Sequence, residues 1–510
     1  MADLPLTWNP ELGLLRQEGP GHIKEVLDLK HVHVGSISSA YLCMRVQHRA
    51  ITPEQVLVSL KSLRHMQVLD GGTHHGCMSS YYEEKGTADT NAAFFIGLSL
   101  QLLYQNESEW LGEEVCVEIR EIVTDLCVWF EHELTSEEGN PRYPNKCLGD
   151  LVAGWLAVEI LDRPASDQLH KTTREWCAYW RDQHWGWGEH MSDSYTMICL
   201  TELSAVLLYC PSLPDEVRAD FKGLFDELIG LSDSYGWGSR VPTIRSYGFE
   251  EPPRLYPFRD YIVSTPAGAD EVHSGQATLV TRSYSAVFCY WYHGAGWEEI
   301  APPMQPVKPW MEIPCFGDSV ARAVVKPQIR IGAMSHYPIM NGVDHFSWGL
   351  SWQTFPAALW RKAGDWGFWR WTARSEDWVR AHPAVRKSDA YSGNGLTKHM
   401  ETPPIPRMTS TLTPEGKLTM ERIIPTPDAA QWDELSDSFC LLDSDAGITV
   451  EGAQLTLRWP DATVVVKWLG DGLPEWKPEE NGGNWILSYD RESLTATESL
   501  THRWELELKA

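Results

Sequence analysis

The most informative stretch of the chain is 184–195, which reads His-Trp-Gly-Trp-Gly-Glu-His-Met-Ser-Asp-Ser-Tyr. It runs directly into an apolar segment whose leucines recur at helical spacing as far as Leu208. A polar, aromatic-rich loop at the start of a buried helix is a common way for a scaffold to present a functional site. The simpler alternative is a helix start capped by Ser192 or Asp193, but a cap needs only one such residue. We therefore expect a functional site at this loop.

This loop and the later turn Arg-Ser-Tyr-Gly at 245–248 resemble motifs of the heparinase II/III-like and alginate/chondroitin lyase superfamily, and the resemblance implies β-elimination from a uronic acid. That reaction removes the weakly acidic proton next to a carboxyl group, so Asn, Arg or His must neutralise the carboxylate. A Tyr or His then acts as the base, and an acid protonates the leaving oxygen. The candidate catalytic residues are Glu189, His190, Tyr195, Arg245 and Tyr247.

Amides and aromatic rings near these groups are candidates for substrate contacts. The chain contains 25 Trp, and flat aromatic faces beside polar groups are surfaces on which sugar rings stack. For every candidate the alternative is structural: a helix cap, an ion pair or a large aromatic core. The candidate substrate-binding residues are Asn91, Asn145, Asp193, Trp185 and Trp187, with His336, His345 and Trp348 from the second half of the chain.

Glycoside hydrolysis is the nearest competing chemistry, because it needs two carboxylates on opposite sides of the bond, roughly 5–10 Å apart. Glu189 and Asp193 are four positions apart and would share one helix face. A better pair would take its second carboxylate from another loop, such as Asp89 or Asp150.

The pair His74-His75 lies beside Tyr81-Tyr82-Glu83-Glu84, and this polar segment is a candidate wall of the site. Nothing in the sequence has the ligand spacing of a zinc site. We therefore predict neither a metal nor a cofactor.

The elements that must position these residues are helices between about residues 54 and 295. Polar loops at 87–91, 143–150 and 184–195 each precede a buried helix, and a more amphipathic helix follows each buried one. Alternating inner and outer helices of this kind predict an α/α toroid whose inner helices start at one common face. The predicted helices cover 54–66, 91–104, 115–134, 149–161, 166–181, 193–209 and 214–231, with 277–292 either a helix or a strand.

The pattern changes from about residue 318 to alternation and β-branched residues, separated by Gly, Asp and Asn turns. Repeated strands without intervening helices predict an antiparallel sandwich. The predicted fold is therefore a multidomain α+β chain, with an N-terminal α/α toroid and a C-terminal antiparallel β-sandwich. The boundaries are 1–50 for an N-terminal extension, 51–295 for the toroid, 296–317 for a Pro-rich linker and 318–510 for the sandwich.

Composition limits the partners and the compartment. A net charge of −27 over 510 residues argues against nucleic-acid binding, and no apolar run approaches the ~20 residues of a membrane span. The N-terminus lacks the basic and apolar regions of a signal peptide. The 11 Cys occur singly, often inside apolar runs, which suits free thiols in a reducing compartment. These features predict a cytoplasmic protein.

A toroid followed by a sandwich, with the helix start Gly-Trp-Gly-Glu-x-x-Ser-Asp-Ser-Tyr at 186–195 and the turn Arg-Ser-Tyr-Gly at 245–248, resembles the heparinase II/III-like and alginate/chondroitin lyase superfamily. The resemblance implies a polysaccharide lyase that uses Tyr, His, Asn and Arg, with the sandwich leaning over the cleft. The chain departs from several of those lyases in lacking an Asn-His dipeptide.

The sequence thus predicts a lyase that cleaves a uronic-acid-containing oligosaccharide by β-elimination. The partner is a small-molecule or oligosaccharide substrate, with no nucleic acid and no membrane. Three alternatives stay open: a glycoside hydrolase on the same toroid; an intracellular lyase, dehydratase or cyclase acting on an apolar small metabolite; and a sugar-binding or scaffold protein without activity.

Overall fold

Helices occupy the first part of the chain and strands the last part in the computed structural model. It describes residues 6–21, 23–135, 141–186, 189–236, 240–243, 258–263, 269–277, 284–315, 317–336, 357–374, 407–425, 434–490, 492–493 and 499–509. This order confirms the predicted α+β fold class. The helices are α1 Gly35–Gln47, α2 Pro53–His65, α3 Asn91–Leu111, α4 Glu113–Thr135, α5 Pro144–Leu161, α6 Asp167–Asp182, α7 Asp193–Tyr209, α8 Asp215–Tyr235, α9 Phe258–Val263, α10 Ala269–Ser274, α11 Tyr284–Gly294 and α12 Trp297–Ile300.

The strands form three antiparallel sheets. They are β1 Leu6–Asn9, β2 Leu14–Glu18, β3 His31–Val34, β4 Gln276–Ala277, β5 Trp310–Pro314, β6 Val320–Val325, β7 Ile329–Met334, β8 Ala357–Arg361, β9 Trp366–Arg374, β10 Arg407–Leu412, β11 Lys417–Pro425, β12 Glu434–Leu442, β13 Gly447–Glu451, β14 Gln454–Arg458, β15 Thr463–Trp468, β16 Glu475–Glu479, β17 Gly482–Asp490 and β18 Ser499–Lys509.

Alternate helices of the first part form a closed inner ring. Helices α1, α3, α5, α7 and α11 pack in that order, and α11 also contacts α1. Helices α2, α4, α6 and α8 pack against one another outside the ring. The outer helix α6 buries one face, centred on Trp176 and Trp180, whereas the inner helix α5 is buried on nearly all sides. The arrangement is the α/α toroid that the alternation of buried and amphipathic helices predicts.

Because each outer helix carries the chain back, the inner helices all start at the same face. We use the term toroid mouth for the first turns of α3, α5 and α7. Helix α5 starts at Pro144, five residues before the predicted start, since proline at a first helical position is already set for the helical φ. Its early start places Asn145, Lys146 and Asp150 on the helix that forms the centre of the mouth.

The N-terminal segment differs from the predicted extension over 1–50. Strands β1, β2 and β3 pair with β4 in a small sheet of order β3-β2-β1-β4. Helix α1 then joins the inner ring, where it buries Tyr41, Cys43 and Met44. The apolar residues of α1 therefore make this segment part of the toroid.

The strands of the second part form an eight-stranded sheet, in the order β16-β17-β12-β9-β8-β7-β6-β5, and a six-stranded sheet, in the order β10-β11-β18-β15-β14-β13. Side chains of both sheets share one hydrophobic core, which includes Leu359 and Trp369 of one sheet and Leu457 and Leu506 of the other. Two antiparallel sheets around one core define the predicted β-sandwich. Strand β5 lies within 296–317, the predicted linker, because it pairs with β6 along its length.

The segment 277–292, left open between helix and strand, begins with the last residue of β4 and ends within α11. Among the helices of the described residues, none has the length and apolarity that a bilayer crossing requires.

Candidate active site

A buried ion-pair cluster occupies the start of α5 at the toroid mouth. The Lys146 Nζ donates to Asp150 Oδ2 at 2.7 Å and also to Glu133 Oε2 on α4. Both carboxylates are buried. Burial favours the neutral amine of Lys146, but the charges of Asp150 and Glu133 outweigh it and raise the Lys146 pKa. The lysine is therefore a fixed cation between two acids.

At Asp150, in contrast, burial outweighs the attraction of the neighbouring charge of Lys146. Burial raises the pKa of Asp150 to about 6, and Glu133 adds to this effect while Lys146 opposes it. A carboxyl group that titrates near neutral pH is suited to acid–base work.

The three-residue 3-10 turn Glu189–Met191, just before α7, joins this cluster to the next inner helix. The Asn145 backbone N–H donates to Glu189 Oε2 at 2.8 Å, and Glu189 is buried. A carboxylate at the first turn of a helix also interacts favourably with the positive end of the helix dipole. The contact brings the predicted residues Asn145 and Glu189 together at the toroid mouth.

His190 reaches the β-sandwich domain from the same turn. Its Nε2 lies 3.0 Å from the carbonyl oxygen of Pro314 on β5. A carbonyl only accepts, so Nε2 carries the hydrogen and Nδ1 is the bare nitrogen of the neutral ring. Within the described part of the chain, Nδ1 has no hydrogen-bond partner. Burial lowers the pKa of His190 to about 3, and the Arg240 charge adds to the effect, so the ring is neutral at pH 7.

Arg240 fixes the backbone of the segment that carries these groups. Its Nη1 donates to the His190 carbonyl at 2.7 Å, to the Ser192 carbonyl at 3.4 Å and to Thr196 Oγ1. The neighbouring Val241 backbone packs directly on Gly332 of β7, where a Cβ would lie 2.1 Å from it. The sandwich thus supports the turn both directly, through Pro314, and indirectly, through Arg240.

Glu202 is a further buried acid, in the middle of α7, and sequence analysis missed it. Its side chain has no exposed surface, and among the described residues neither carboxyl oxygen has a hydrogen-bond partner. Burial raises the Glu202 pKa, and the negative charges of Asp150 and Glu189 raise it further. The carboxyl lies against Gly149, where a Cβ would be 2.8 Å from Oε1. The signal available in the sequence is one acid inside the apolar stretch 197–208.

Glu133 and Lys146 were missed as well. Lys146 and Asp150 are four positions apart on a helix, a spacing that pairs side chains. No local pattern connects Lys146 with Glu133, which lies on the preceding helix.

The loop between α2 and α3 forms one side of the toroid mouth. His74 Nδ1 lies 2.8 Å from Thr87 Oγ1, and the His74 ring packs edge-on against Trp129. Glu84 accepts hydrogen bonds from the backbone N–H groups of Ser80, Tyr81 and Ala88. These contacts shape the loop.

The predicted residues on α3 and α7 lie at the helix starts. Asn91 is half-buried as the first residue of α3, and its backbone N–H donates to Asp89 Oδ1 at 3.0 Å. Tyr195 is buried in the first turn of α7, and its backbone N–H donates to the cap Ser192 Oγ at 3.4 Å. Asp193 is the first residue of α7, but its side chain is outside the described structure.

The burial of Trp185 does not fit the prediction that its ring contacts the substrate. Its ring is 1% exposed, stacks on Trp180 with 6.1 Å between ring centroids, and donates from Nε1 to Glu227 on α8 at 2.9 Å. A ring enclosed between α6 and α8 has no open face for a sugar, so Trp185 is a packing residue.

His336 lies at the end of β7, on the β5–β6 hairpin side of the sandwich. Its Nε2 is 2.8 Å from Asp318 Oδ1, and Ser335 Oγ is 3.2 Å from its Nδ1. The same hairpin supplies Pro314 to His190, which places His336 on the part of the sandwich that faces the toroid. The remaining predicted residues, Trp187, Arg245, Tyr247, His345 and Trp348, lie outside the described residues.

Among the described residues, no group of three or more His, Cys, Asp or Glu side chains is arranged to hold a metal ion. A cavity of about 490 Å³ lies away from the toroid mouth, beside α9 and α12, and Arg259, Trp297 and Met304 contribute to its lining. Arg259 is already bound to Asp233 and to the Pro302 carbonyl there.

Known proteins resemble this chain among solved structures rather than among family models or curated sequences. No protein-family model matches the chain, and no curated protein matches it. Among solved structures, the chain is similar to the chondroitin AC lyase of Streptomyces coelicolor A3, solved in complex with chondroitin sulphate. The two share 9% identity over 93% of this chain and 74% of the lyase, with a TM-score of 0.45. A similarity at this level carries no argument about activity, which depends on the side chains at the toroid mouth.

Proposed function

We propose that this protein is a carbohydrate-active enzyme that cleaves a uronic-acid-containing oligosaccharide by β-elimination at the toroid mouth. The observation that carries the proposal is the state of His190. Its Nε2–H is held by Pro314, its Nδ1 is unpartnered among the described residues, and it is neutral at pH 7. The bare Nδ1 offers a lone pair to a proton. The pKa of about 3 is that of the protein alone, and the base role requires a substrate carboxylate beside the ring to raise it.

The reaction places each group in a role. The base takes the proton from the carbon next to the carboxyl group, and the electrons of that C–H bond form a carbon–carbon double bond. The bond from carbon to the leaving oxygen breaks, and this oxygen then receives a proton. We assign the base to His190 and a proton-transfer role to Tyr195, which follows in the first turn of α7.

Charge on the substrate's carboxylate must be neutralised during this step. The side chains of Asn91 and Asn145 are half-buried at the starts of two inner helices. Helix N-termini favour negative charge, and the amide groups add hydrogen-bond donors. This placement supports a role for both residues in holding the acidic group.

An assay with uronic-acid-containing oligosaccharides tests the proposal, since elimination leaves an unsaturated product that absorbs in the ultraviolet. The variants are His190→Gln, Tyr195→Phe and Glu189→Gln. Loss of an acid–base group costs roughly 10²–10⁴-fold in turnover, so we expect such a drop for His190→Gln or Tyr195→Phe and a smaller one for Glu189→Gln. The control His170→Gln, on the outer helix α6 against Trp155, leaves turnover unchanged.

A glycoside hydrolase is the second candidate, and the raised pKa of Asp150, about 6, favours it. Two carboxyl groups in different environments at one mouth, Asp150 and Glu189, match the acid and base of hydrolysis. This candidate predicts new reducing ends without ultraviolet absorption, with Asp150→Asn or Glu189→Gln abolishing turnover and Tyr195→Phe having a mild effect. Full activity in all these variants overturns both candidates at this site.

A further inference from the structure

The strongest unexplained feature of the toroid is the pair of acids between α5 and α7. Glu202 has no exposed surface, and neither of its oxygens has a partner in the described structure. The Asp150 Oδ1 is also buried and unpartnered there, whereas its Oδ2 accepts from Lys146. Gly149, the neighbour of Asp150, is the residue against which the Glu202 carboxyl rests. Glu202 therefore lies beside the turn of α5 that carries Asp150, close enough for the Asp150 charge to act on it, and each acid has an unused buried oxygen.

The charges around Glu202 disfavour its ionised form. The charged groups that act on it in the described structure are Asp150 of α5 and Glu189 of the 3-10 turn, and both are acids. Its other ionisable neighbours are the Cys199 thiol on its own helix and the Tyr292 hydroxyl on α11. Helices α3, α8 and α12, which also pack on α7, add no charge to these surroundings within the described residues. An ionised carboxylate without hydrogen bonds or a cation is very costly to bury.

We propose that Asp150 and Glu202 share one proton, and that this proton lets the toroid mouth accept an acidic substrate. Two carboxylates that share a site cannot both ionise at moderate cost, so one retains a proton that the other can accept. The proton removes one negative charge from a part of the described structure that already holds the acids Glu133 and Glu189 beside the cation Lys146. The part concerning the substrate rests on the proposed function, whereas the shared proton does not.

Glu202→Gln is the informative variant, because Gln keeps the shape of the side chain and removes its ionisation. The control is Glu109→Gln, an exposed acid on α3. Infrared difference spectroscopy at pH 7 should show a protonated carboxyl band in the parent protein and in the control. The band should be absent from Glu202→Gln. A parent protein without such a band overturns the shared proton.

Unfolding by denaturant gives a second readout that does not need activity. The folded chain binds the shared proton. At a pH above the ordinary pKa of a carboxyl group, unfolding releases this proton, so the free energy of unfolding falls as pH rises. Between pH 5 and pH 8 the folding constant of the parent should decrease relative to Glu202→Gln by about tenfold per pH unit. Parallel pH profiles for the parent and Glu202→Gln contradict the proposal.

The Michaelis constant for an acidic oligosaccharide tests the second part. With a shared proton, the parent and Glu202→Gln carry the same charge at pH 7, so their KM values should agree. If Glu202 were ionised, removing its charge would lower KM by on the order of tenfold, and this result overturns the proposal. If the infrared and stability results hold but no uronic-acid oligosaccharide is cleaved, the proposed function fails and the shared proton stands.

Discussion

Asp437 in the β-sandwich and Glu202 in the toroid are both carboxylates without exposed surface, yet their surroundings are opposite. Asp437 lies on β12 and accepts from Arg422 on β11 and from His502 Nδ1 and Trp504 Nε1 on β18, the last two at 2.8 and 3.1 Å. Glu202 accepts from none of the described residues. Burial alone would raise the pKa of both acids. Arg422 and the hydrogen bonds outweigh burial and lower the pKa of Asp437. At Glu202 no cation or hydrogen bond from the described residues opposes the effect of burial.

The difference in hydrogen-bond partners makes Asp437 a structural acid and Glu202 a candidate for a functional role. The three partners of Asp437 come from the opposite sheet, so the ionised group joins the two sheets of the sandwich. A satisfied buried network stabilises a unique arrangement, while an unsatisfied one is a cost that folding alone does not explain. The unsatisfied acid lies in the middle of α7, against Gly149 and below the toroid mouth. This contrast supports the toroid mouth, and not the sandwich core, as the place of chemistry.

The largest expected loss of stability is at Asp437, the buried acid whose hydrogen bonds are satisfied. Asp437→Asn removes the charge and leaves Arg422 buried without its counter-ion, which costs about 3–5 kcal/mol of unfolding free energy. Chemical denaturation measures it. The control Asp445→Asn changes an acid that is 82% exposed and 3.7 Å from Arg361, and should cost at most about 1 kcal/mol. Equal effects in the two variants would remove the distinction between the two buried acids.

The next effect concerns the space beside Glu202. A Cβ on Gly149 would lie 2.4 Å from Phe94 Cδ2 and 2.8 Å from Glu202 Oε1, so Gly149→Ala should cost about 1–3 kcal/mol through overpacking. Gly154 is on the same helix, and its Cβ would meet Leu169 Cδ1 at an ordinary 3.5 Å. Gly154→Ala should therefore be neutral or stabilise by up to about 1 kcal/mol. Thermal unfolding of both variants tests the close fit, and a tolerated Gly149→Ala contradicts it.

A smaller, pH-dependent effect is expected at His190. Its pKa is about 3 in the folded chain against 6.5 for a free imidazole, so the unfolded chain binds the extra proton first. The contribution of the neutral His190 ring to the free energy of unfolding is therefore fully present above pH 6.5. It is lost as pH falls, by at most about 1.4 kcal/mol per pH unit. His190→Gln should flatten the profile between pH 6.5 and 5, whereas the His170→Gln control keeps it. Identical profiles for the parent and His190→Gln would show that His190 is exposed to solvent protons.

The smallest effect is at Trp185. Trp185→Phe keeps a ring on Trp180 but loses the 2.9 Å hydrogen bond to Glu227, which is worth about 0.5–1.5 kcal/mol. As a packing residue it should lower stability by that amount and leave KM unchanged. A rise in KM without loss of stability would restore the original prediction that Trp185 binds substrate.

Much of the fold was predictable because the signals are local. The apolar periodicity of α7 and the amphipathic pattern of α6 follow from neighbours within a few turns. The polar loops at 87–91 and 184–195 also predicted where α3 and α7 start, whereas α5 starts at Pro144, inside the predicted loop 143–150. Boundaries were less predictable: α1 joined the ring and β5 lay in the expected linker, since both depend on partners distant in sequence.

The candidate site was predictable only in part, for the same reason. Asn145, Glu189 and His190 were identified from loops rich in polar groups, and the structure brings Asn145 and Glu189 into contact. Trp185 carried the same signal but points between two helices, because sequence spacing does not give the direction of a side chain on an irregular turn.

The sequence by itself determined the types of element, their order and the face at which polar loops collect, because hydrophobic periodicity acts over short stretches of chain. Only the tertiary structure decided which charged groups meet. Lys146 is held between acids of two different helices, and Glu202 comes to lie against Gly149 from a third. The protonation of such groups depends on burial and on charges a few ångströms away in space, and neither quantity is written in the order of residues along the chain.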